Sequence, residues 1–506
     1  MNLAELAEQN IQWFGEQTTI IYNDEEFTNV RLLRTANRLA NGLIRLGVKP
    51  GDRVLVMLMN SPDVIVSYQG ILRVGAIIIP VVFLLGEKEV AHILKNSEAM
   101  AIITSAAFLQ KVKIAGQGIE SLKHIIIVEN QNIPGTVSYP KLLTENSDER
   151  PALEIKENDL AVILYTSGMT GVPKGVMLTH KNLYSNAVST AKTETPEPDD
   201  ISLHVLPLSH SYGLTVMNAG WMFPNKAVLM PWFDLEEACK LIEKYKITGF
   251  AGVPAMFAMM IHSDIPDHYD LSSLSRCGSG SAPLSVEVMR GFEEKFHCII
   301  LEGYGLSEAS PVVSTHYPDR VRKPGSIGQP IPDVEVKIVD ENDREVPLGE
   351  MGELIVRGPN VSPGYYNLPG ETAKTFRDGW LYTGDMARMD EDGYLFLVER
   401  KKDLIIVGGF NIVPRDVEEV LHLHPAIIDA AVIGVPDPIM GEEIKAYVVL
   451  AEGEKVTAED ISRHCQEHLA TYKTPKYIEF LTALPRSPIG KIMRKELREL
   501  HAKVKE

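Results

Sequence analysis

The chain is poor in the features that mark secreted, membrane-spanning and nucleic-acid-binding proteins. Its 506 residues include four cysteines (Cys239, Cys277, Cys298, Cys465), none in a C-x-x-C pair. Neither a disulfide framework nor a zinc site is expected, and a reducing compartment is. The amino terminus, M-N-L-A-E-L-A-E-Q-N, lacks the basic and apolar regions of a signal peptide. The longest apolar run, residues 76–85, is too short to span a bilayer and is interrupted by Pro80. Basic residues are also scarce: 50 Lys and Arg face 68 Asp and Glu, a net charge of −18. That balance argues against non-specific binding to nucleic acid or to an anionic membrane, while leaving room for a local positive site that holds a nucleotide. No internal repeat and no low-complexity segment is present. The expectation is a cytoplasmic, soluble enzyme without an integral membrane segment, working on small molecules; whether it is a monomer or a homodimer stays open.

What is present is a regular alternation of apolar runs and helical patterns in a chain too long for one core. Thr28 can cap a helix with an apolar face of Val30, Leu33, Ala36, Ala40 and Leu43, ended by Gly47 and Pro50. A strand at residues 53–58, a helix opened by Ser61-Pro62 and ended by Gly75, and a strand at 76–79 follow. Residues 87–97, 101–104 and 124–128 continue the pattern. Such alternation predicts an α/β fold, a mostly parallel sheet with helices on its faces. Residues 193–200, T-E-T-P-E-P-D-D, read as an exposed loop. From Gly325 to Gly364 short alternating strands with Gly and Pro turns predict an antiparallel, barrel-like subdomain. The last hundred residues read as a small α+β unit. Val417, Val420, Leu421 and His424 share a helical face there, strands fall at 430–434 and 445–450, and a helix at 461–469.

The densest chemistry lies in Y-T-S-G-M-T-G-V-P-K-G-V, residues 165–176, directly after the apolar run 160–164. Three glycines allow backbone N–H groups to bend around an anion, and Thr166, Ser167, Thr170 and Lys174 add donors. A polyphosphate is the ligand this suggests. The loop is not a Walker A motif, since Pro173 precedes Lys174 and Gly175 follows it. Taken alone it is as often an ordinary turn. Four further segments stand out. P-L-S-H-S-Y-G holds His210 and Tyr212, although an isolated histidine is usually structural. C-G-S-G-S-A-P-L, with Gly280, Ser281 and Ala282, has residues small enough for a flat ring to approach the backbone. E-G-Y-G-L-S-E turns after an apolar strand and holds Gly303, Tyr304, Gly305, Ser307 and Glu308. Near the end, S-P-I-G-K-I-M-R-K-E-L-R sets Lys491 in a turn before a basic helix.

Together, in this order from Tyr165 to Arg498, the segments resemble the acyl-adenylate-forming family of acyl-CoA synthetases, peptide-synthetase adenylation domains and luciferases. The resemblance covers about two-thirds of the chain. It implies that residues 166–174 are the phosphate loop, including Gly168, with Met169 where the family usually has Ser or Thr, so one hydroxyl is missing. It places the Gly280–Ala282 segment against adenine, Tyr304 as a stacking face, Ser307 as a phosphate donor and Glu308 with Thr166 at a Mg²⁺ ion. Asp385, in W-L-Y-T-G-D, and Arg400 match the residues that reach the ribose. His210, Tyr212, Val216, Pro311 and Val312 would border an apolar acyl pocket; Ser209 stands where an aromatic is common. Gly408 and Gly409 match the loop lining the tunnel for the thiol substrate. Lys402 matches the hinge, so residues 1–401 would form the AMP/ATP- and acyl-binding domain and 402–506 a mobile lid. Lys491 matches the catalytic lysine.

The resemblance implies an ATP-dependent carboxylic acid:CoA ligase that forms an acyl-AMP and then a thioester, releasing AMP and pyrophosphate. A medium- or long-chain fatty acid is the first expectation; an aryl acid, or transfer of the acyl group to another acceptor, is the alternative. Two readings of other classes are a P-loop ATPase, which Pro173 and the residue after Lys174 disfavour, and a catalytically silent binding protein. The joint presence of Lys174, Glu308, Asp385, Arg400 and Lys491 disfavours the second.

Overall fold

Strands that are apolar on both faces need cover on both, and the helices between them supply it. The computed structural model describes all residues except Met1, 131–132, 167–172, 401–402, 408–409, 439, 452, 487–491 and 505–506. Contacts divide the chain into two units, Met1–Val336 with Val356–Tyr382, and Lys337–Ile355 with Thr383–Glu506. The expected domain join at 401–402 and the hinge Lys402 lie outside the described residues.

In the first unit an eight-stranded sheet has the order Gly364–Tyr365, Lys174–Thr179, Leu160–Thr166, Ile77–Pro80, Arg53–Met57, Ala101–Thr104, His124–Ile127, Val137–Ser138. The last six run parallel, and the first two close one edge antiparallel. Side-chain alternation splits its core in two. Val54, Val56, Ile78 and Val162 pack on one side with Leu39, Leu43 and Ile71, whereas Leu55, Met57, Ile79 and Ile163 pack on the other with Ile93, Leu94 and Val112.

The Asn29–Arg45 helix begins as the sequence predicts, with Thr28 Oγ1 accepting from the Arg31 N–H at 3.0 Å. Its buried stripe is a correction, however. Leu32 and Leu39 are buried with Ala36, Ala40 and Leu43, whereas Val30 and Leu33 are only partly so. The helix is covered by both the Pro62–Val74 and Tyr139–Thr144 helices, which rotates and widens the face beyond a single stripe.

A nine-stranded sheet has the order Gln329–Pro330, Val312–Thr315, Ile299–Gly305, Arg276–Ser279, Gly249–Gly252, Ile201–His204, Lys226–Leu229, Thr18–Tyr22, Glu25–Thr28. Its centre is parallel and both edges are antiparallel. The strands Glu335–Val339, Gly352–Arg357, Phe376–Arg377, Trp380–Met389 and Leu395–Arg400 form a half-barrel sheet as expected, but it runs on to Arg400 rather than ending at Gly364, and Gln329–Pro330 and Gly364–Tyr365 join the two larger sheets instead.

In the second unit Gly441–Leu450 pairs antiparallel with Ile427–Asp437 and Ile405–Val407 and parallel with Tyr477–Phe480. Val417 and Leu421 of the Pro414–His422 helix, and Ile461 and Cys465 of the Ala458–His468 helix, pack on it. His424 lies beyond the helix it was expected to extend, because the chain turns at Leu423. Lys445 and Leu450 do lie in a strand. Among the described residues no helix is long and apolar enough to cross a membrane.

Candidate active site

The candidate residues of the first unit sit at the carboxyl ends of parallel strands, where the diverging connections of an α/β sheet leave room for ligands. Thr166 ends the strand Leu160–Thr166 and is paired in register with Lys174, the first residue of the returning strand. These two residues form the described base of the glycine-rich loop. Ser167, Gly168 and Thr170 lie outside the described residues, as do Gly408, Gly409 and Lys491.

The short strand Gly364–Tyr365 adds to the same edge, with Tyr365 opposite Val176. Strand geometry then puts Tyr365 diagonal to Lys174 on one face. The Lys174 ammonium lies 5.4 Å from the centre of the Tyr365 ring, and the Tyr365 hydroxyl donates to Glu308 Oε1 at 2.8 Å. Glu308 Oε2 has no protein partner among the described residues. Burial, then the neighbouring Glu308 carboxylate, raises the Tyr365 phenol above its ordinary pKa, so it stays a donor. Lys174 Nζ also pairs with Glu371 Oε2 at 2.7 Å, and Lys374 Nζ with Glu371 Oε1 at 2.8 Å. These two ammonium groups bring the Glu371 carboxyl down to about 2.

Glu308 follows the strand Ile299–Gly305, which turns back antiparallel into Val312–Thr315. The turn depends on Gly305: a Cβ there would stand 2.3 Å from the Pro311 carbonyl oxygen. That oxygen accepts the Leu306 N–H at 3.0 Å, so the turn is closed by main chain. Asn186, from the helix His180–Ala191, grips Val312 through both its N–H and its carbonyl, at 3.2 and 2.8 Å. The buried Glu302 carboxylate accepts the Leu284 N–H at 3.1 Å, which ties the Gly280–Leu284 loop to the strand that holds Gly303 and Tyr304 and leads to Glu308. Ser281 in that loop has φ +68°, and Ser307 opens the single turn that bears Glu308.

The acyl-side residues are brought near these loops, in differing roles. His210 caps the helix Ser211–Gly220, its Nδ1 accepting the Tyr212 N–H at 3.4 Å. The Tyr212 ring lies on the small-residue loop: a Cβ on Gly280 would be 3.1 Å from it. Val216 lines a small cavity with Leu203, Leu206, Leu208, Ala251 and His204. Burial pushes the His204 imidazole down to about 4, so it is neutral there. Thr215 Oγ1 donates to the Ser310 carbonyl at 2.9 Å, joining this helix to Pro311 and Val312.

In the second unit Asp385 is buried in the strand Trp380–Met389 and lies opposite Arg400 in register. Thr383 Oγ1 accepts the Asp385 N–H at 3.1 Å and donates to the Leu354 carbonyl at 2.6 Å, which fixes the turn before the carboxylate. Tyr365, Glu371 and Asn186 are the residues absent from the sequence reading. The only local signal was P-G-Y-Y-N-L-P-G-E, an aromatic pair and an acid between two Pro-Gly steps.

A Lys–Tyr–Glu line and small-residue loops thus stand at the carboxyl ends of two sheets, as expected of an enzyme of the adenylate-forming type. The family models agree. "AMP-binding enzyme" matches residues 7–366 and "AMP-binding enzyme C-terminal domain" matches residues 416–491. The chain belongs to this family, in its acyl-CoA synthetase branch, whose members use ATP and CoA. It is 40% identical to a long-chain-fatty-acid–CoA ligase of Bacillus subtilis, over 96% of this chain and 92% of that one. It is 34% identical to a 4-coumarate–CoA ligase of Vanilla planifolia, over 97% and 92%. Among solved structures it superposes on the anthranilate CoA ligase AuaEII in complex with anthranoyl-AMP with a TM-score of 0.94, at 29% identity, over 100% and 98% of the chains.

Proposed function

We propose that this protein is an ATP-dependent carboxylic acid:CoA ligase whose acid is a medium- or long-chain fatty acid. The observation that carries the reading is the line from Lys174 across Tyr365 to Glu308, closed by strand pairing at the carboxyl end of the sheet. It holds one cation and one carboxylate at a fixed separation beside a loop suited to polyphosphate. The 40% identity to a fatty-acid ligase favours the alkyl acid. The apolar side chains beside Val216, namely Leu203, Leu206 and Leu208, are in keeping with it. The similarity to 4-coumarate and anthranilate ligases favours an aryl acid as the second reading.

In the first half-reaction a carboxylate oxygen attacks the α-phosphorus of ATP, and the bond to the β-phosphate breaks to release pyrophosphate. Thr166, Ser167, Gly168, Thr170 and Lys174 cradle the β- and γ-phosphates, and Lys491 meets the charge developing at the α-phosphate. Gly280, Ser281, Ala282, Gly303, Tyr304 and Gly305 hold adenine, Ser307 donates to phosphate, and Asp385 with Arg400 holds the ribose. Glu308 and the Thr166 hydroxyl fit a Mg²⁺ ion, since both offer hard oxygens and Glu308 Oε2 accepts no donor among the described residues; bound there, the ion would screen phosphate charge from the incoming carboxylate.

In the second half-reaction the CoA thiolate attacks the acyl carbonyl and AMP leaves. Residues 402–506 swing about Lys402 between the two steps, withdrawing Lys491 and presenting Gly408 and Gly409 to the thiol. His210, Tyr212, Val216, Pro311 and Val312 border the acyl chain. A cytoplasmic setting fits the four buried, free thiols. The test is a screen of carboxylic acids from acetate to palmitate, with benzoates. Acid-dependent pyrophosphate release together with CoA-dependent AMP release is expected, greatest with alkyl acids. ATP hydrolysis that ignores the acid would reject the ligase reading, and preference for benzoates would select the aryl one.

A further inference from the structure

Lys174 is the one cation of the phosphate loop, and a carboxylate already holds it. Its side chain is 17% exposed, with Glu371 at 2.7 Å on one side and the Tyr365 ring on another. Glu371 lies on the short helix Pro369–Thr375, which is pinned to the site strand: Thr372 Oγ1 accepts the Tyr365 N–H at 2.9 Å. The carboxylate is therefore presented to Lys174 by structure rather than by a long mobile side chain alone. Its other oxygen is held by Lys374, whose side chain is 76% exposed. If Lys174 turned away, Glu371 would keep a cationic partner. Both charges can thus exchange partners without either being left bare, and the Glu371 carboxylate, 35% exposed and shared with Lys374, can be displaced from Lys174.

We propose that Glu371 is a positioning residue that occupies the Lys174 ammonium in the resting enzyme and yields it to a phosphate oxygen when polyphosphate binds. The inference rests on the reading of residues 166–174 as the phosphate loop, and it gives that loop a built-in competitor. The competitor keeps a half-buried ammonium oriented along the Tyr365 ring before ATP arrives. It also weakens the grip on pyrophosphate, the product that must depart before the second half-reaction. Glu371 touches neither substrate nor reacting atoms in this scheme; it acts through Lys174.

The test is calorimetric titration of the full-length protein with inorganic pyrophosphate, without carboxylic acid or CoA. Glu371→Gln is nearly isosteric at a solvent-accessible position, and Glu371→Ala serves as the second variant. Both are expected to bind pyrophosphate about two- to fivefold more tightly than the parent, the range spanned by an ion pair that solvent still screens on the carboxylate side. In a Lys174→Ala background, which itself binds more weakly, the Glu371 substitutions are expected to change nothing. Unchanged or weaker binding in the single variants overturns the inference. So does tightening of equal size without Lys174, since removal of a nearby negative charge then explains it. If Lys174→Ala leaves pyrophosphate affinity intact, the phosphate-loop reading falls and the inference falls with it. Weaker binding by Lys174→Ala with no effect of Glu371 sinks the inference alone.

Discussion

The Tyr365 hydroxyl donates to Glu308 Oε1 at 2.8 Å across 57 residues of sequence, while the same ring faces the Lys174 ammonium at 5.4 Å. One side chain therefore sets the bearing of two charged groups of opposite sign. Removing the hydroxyl leaves the ring and the ammonium contact in place and frees the carboxylate, together with the Thr375 side chain that also bonds the hydroxyl. Tyr365→Phe is expected to lower acid-dependent pyrophosphate exchange about tenfold or more, since a hydrogen bond to a charged group is worth about 1.5–3 kcal/mol. Thioester formation from supplied acyl-adenylate should change far less, because polyphosphate is absent from that step. Equal loss in both assays would mean that the hydroxyl supports the fold rather than Glu308.

A second prediction concerns the turn that carries Glu308. A Cβ at Gly305 meets the Pro311 carbonyl oxygen at 2.3 Å, and that oxygen is held by the Leu306 N–H. Main chain on both sides cannot yield as a side chain would. Gly305→Ala is expected to destabilise the first unit by about 1–3 kcal/mol, the usual cost of overpacking. At Gly303 the tightest approach is 3.1 Å, to the Ser314 carbonyl oxygen, so Gly303→Ala should be milder. Denaturant midpoints of the two variants, compared side by side, decide the point; the reverse order would show that the turn relaxes.

How much of this is legible in the sequence depends on how far apart the interacting residues lie. The glycine-rich loops are readable because their small residues stand directly after an apolar strand. Thr166 and Gly305 accordingly end strands, Gly280 and Glu308 follow them within three residues, and Lys174 opens the returning strand. Tyr365 and Glu371 are not readable, because their roles follow from a two-residue strand joining an edge formed nearly two hundred positions earlier; Lys174 and Glu371 are 197 residues apart. Nothing local distinguishes P-G-Y-Y-N from an ordinary turn. The helix at Asn29–Arg45 fails in a smaller way: its cap is a local matter and is correctly read, but its buried face is set by two neighbouring helices. His210 also gains a second meaning in three dimensions, as a helix cap beside the acyl-side residues.

The role proposed for Lys491 rests on its sequence setting, Ser-Pro-Ile-Gly-Lys, and on membership of the family. A lysine used in only one of two conformations leaves a kinetic mark. Lys491→Ala is expected to lose acyl-adenylate formation by orders of magnitude while retaining most thioester formation from supplied acyl-adenylate. Rapid-quench measurement of the two half-reactions separates them. Matching losses would place the residue outside an adenylation-specific role.

The sharpest prediction tests the swing itself. Asp403 is buried, and its Oδ1 accepts from Arg498 at 2.6 Å, so the residue just after the expected hinge is anchored to the last helix of its own unit. A rotation about Lys402 can then carry Asp403 and Arg498 together without breaking that pair. Proline fixes φ near about −65° and removes the backbone donor, so a residue that must change its dihedrals between two states is held in one. Lys402→Pro is expected to fold and to exchange pyrophosphate in an acid-dependent way, because adenylation needs only one of the states. Overall CoA ligation should fall by orders of magnitude, with acyl-adenylate accumulating on the enzyme. Parallel loss of exchange and ligation would show that the hinge lies elsewhere or that the first state also needs the freedom removed. Normal ligation beside normal exchange would exclude rotation about Lys402, since the thiol step would then proceed from a chain locked in its adenylating state.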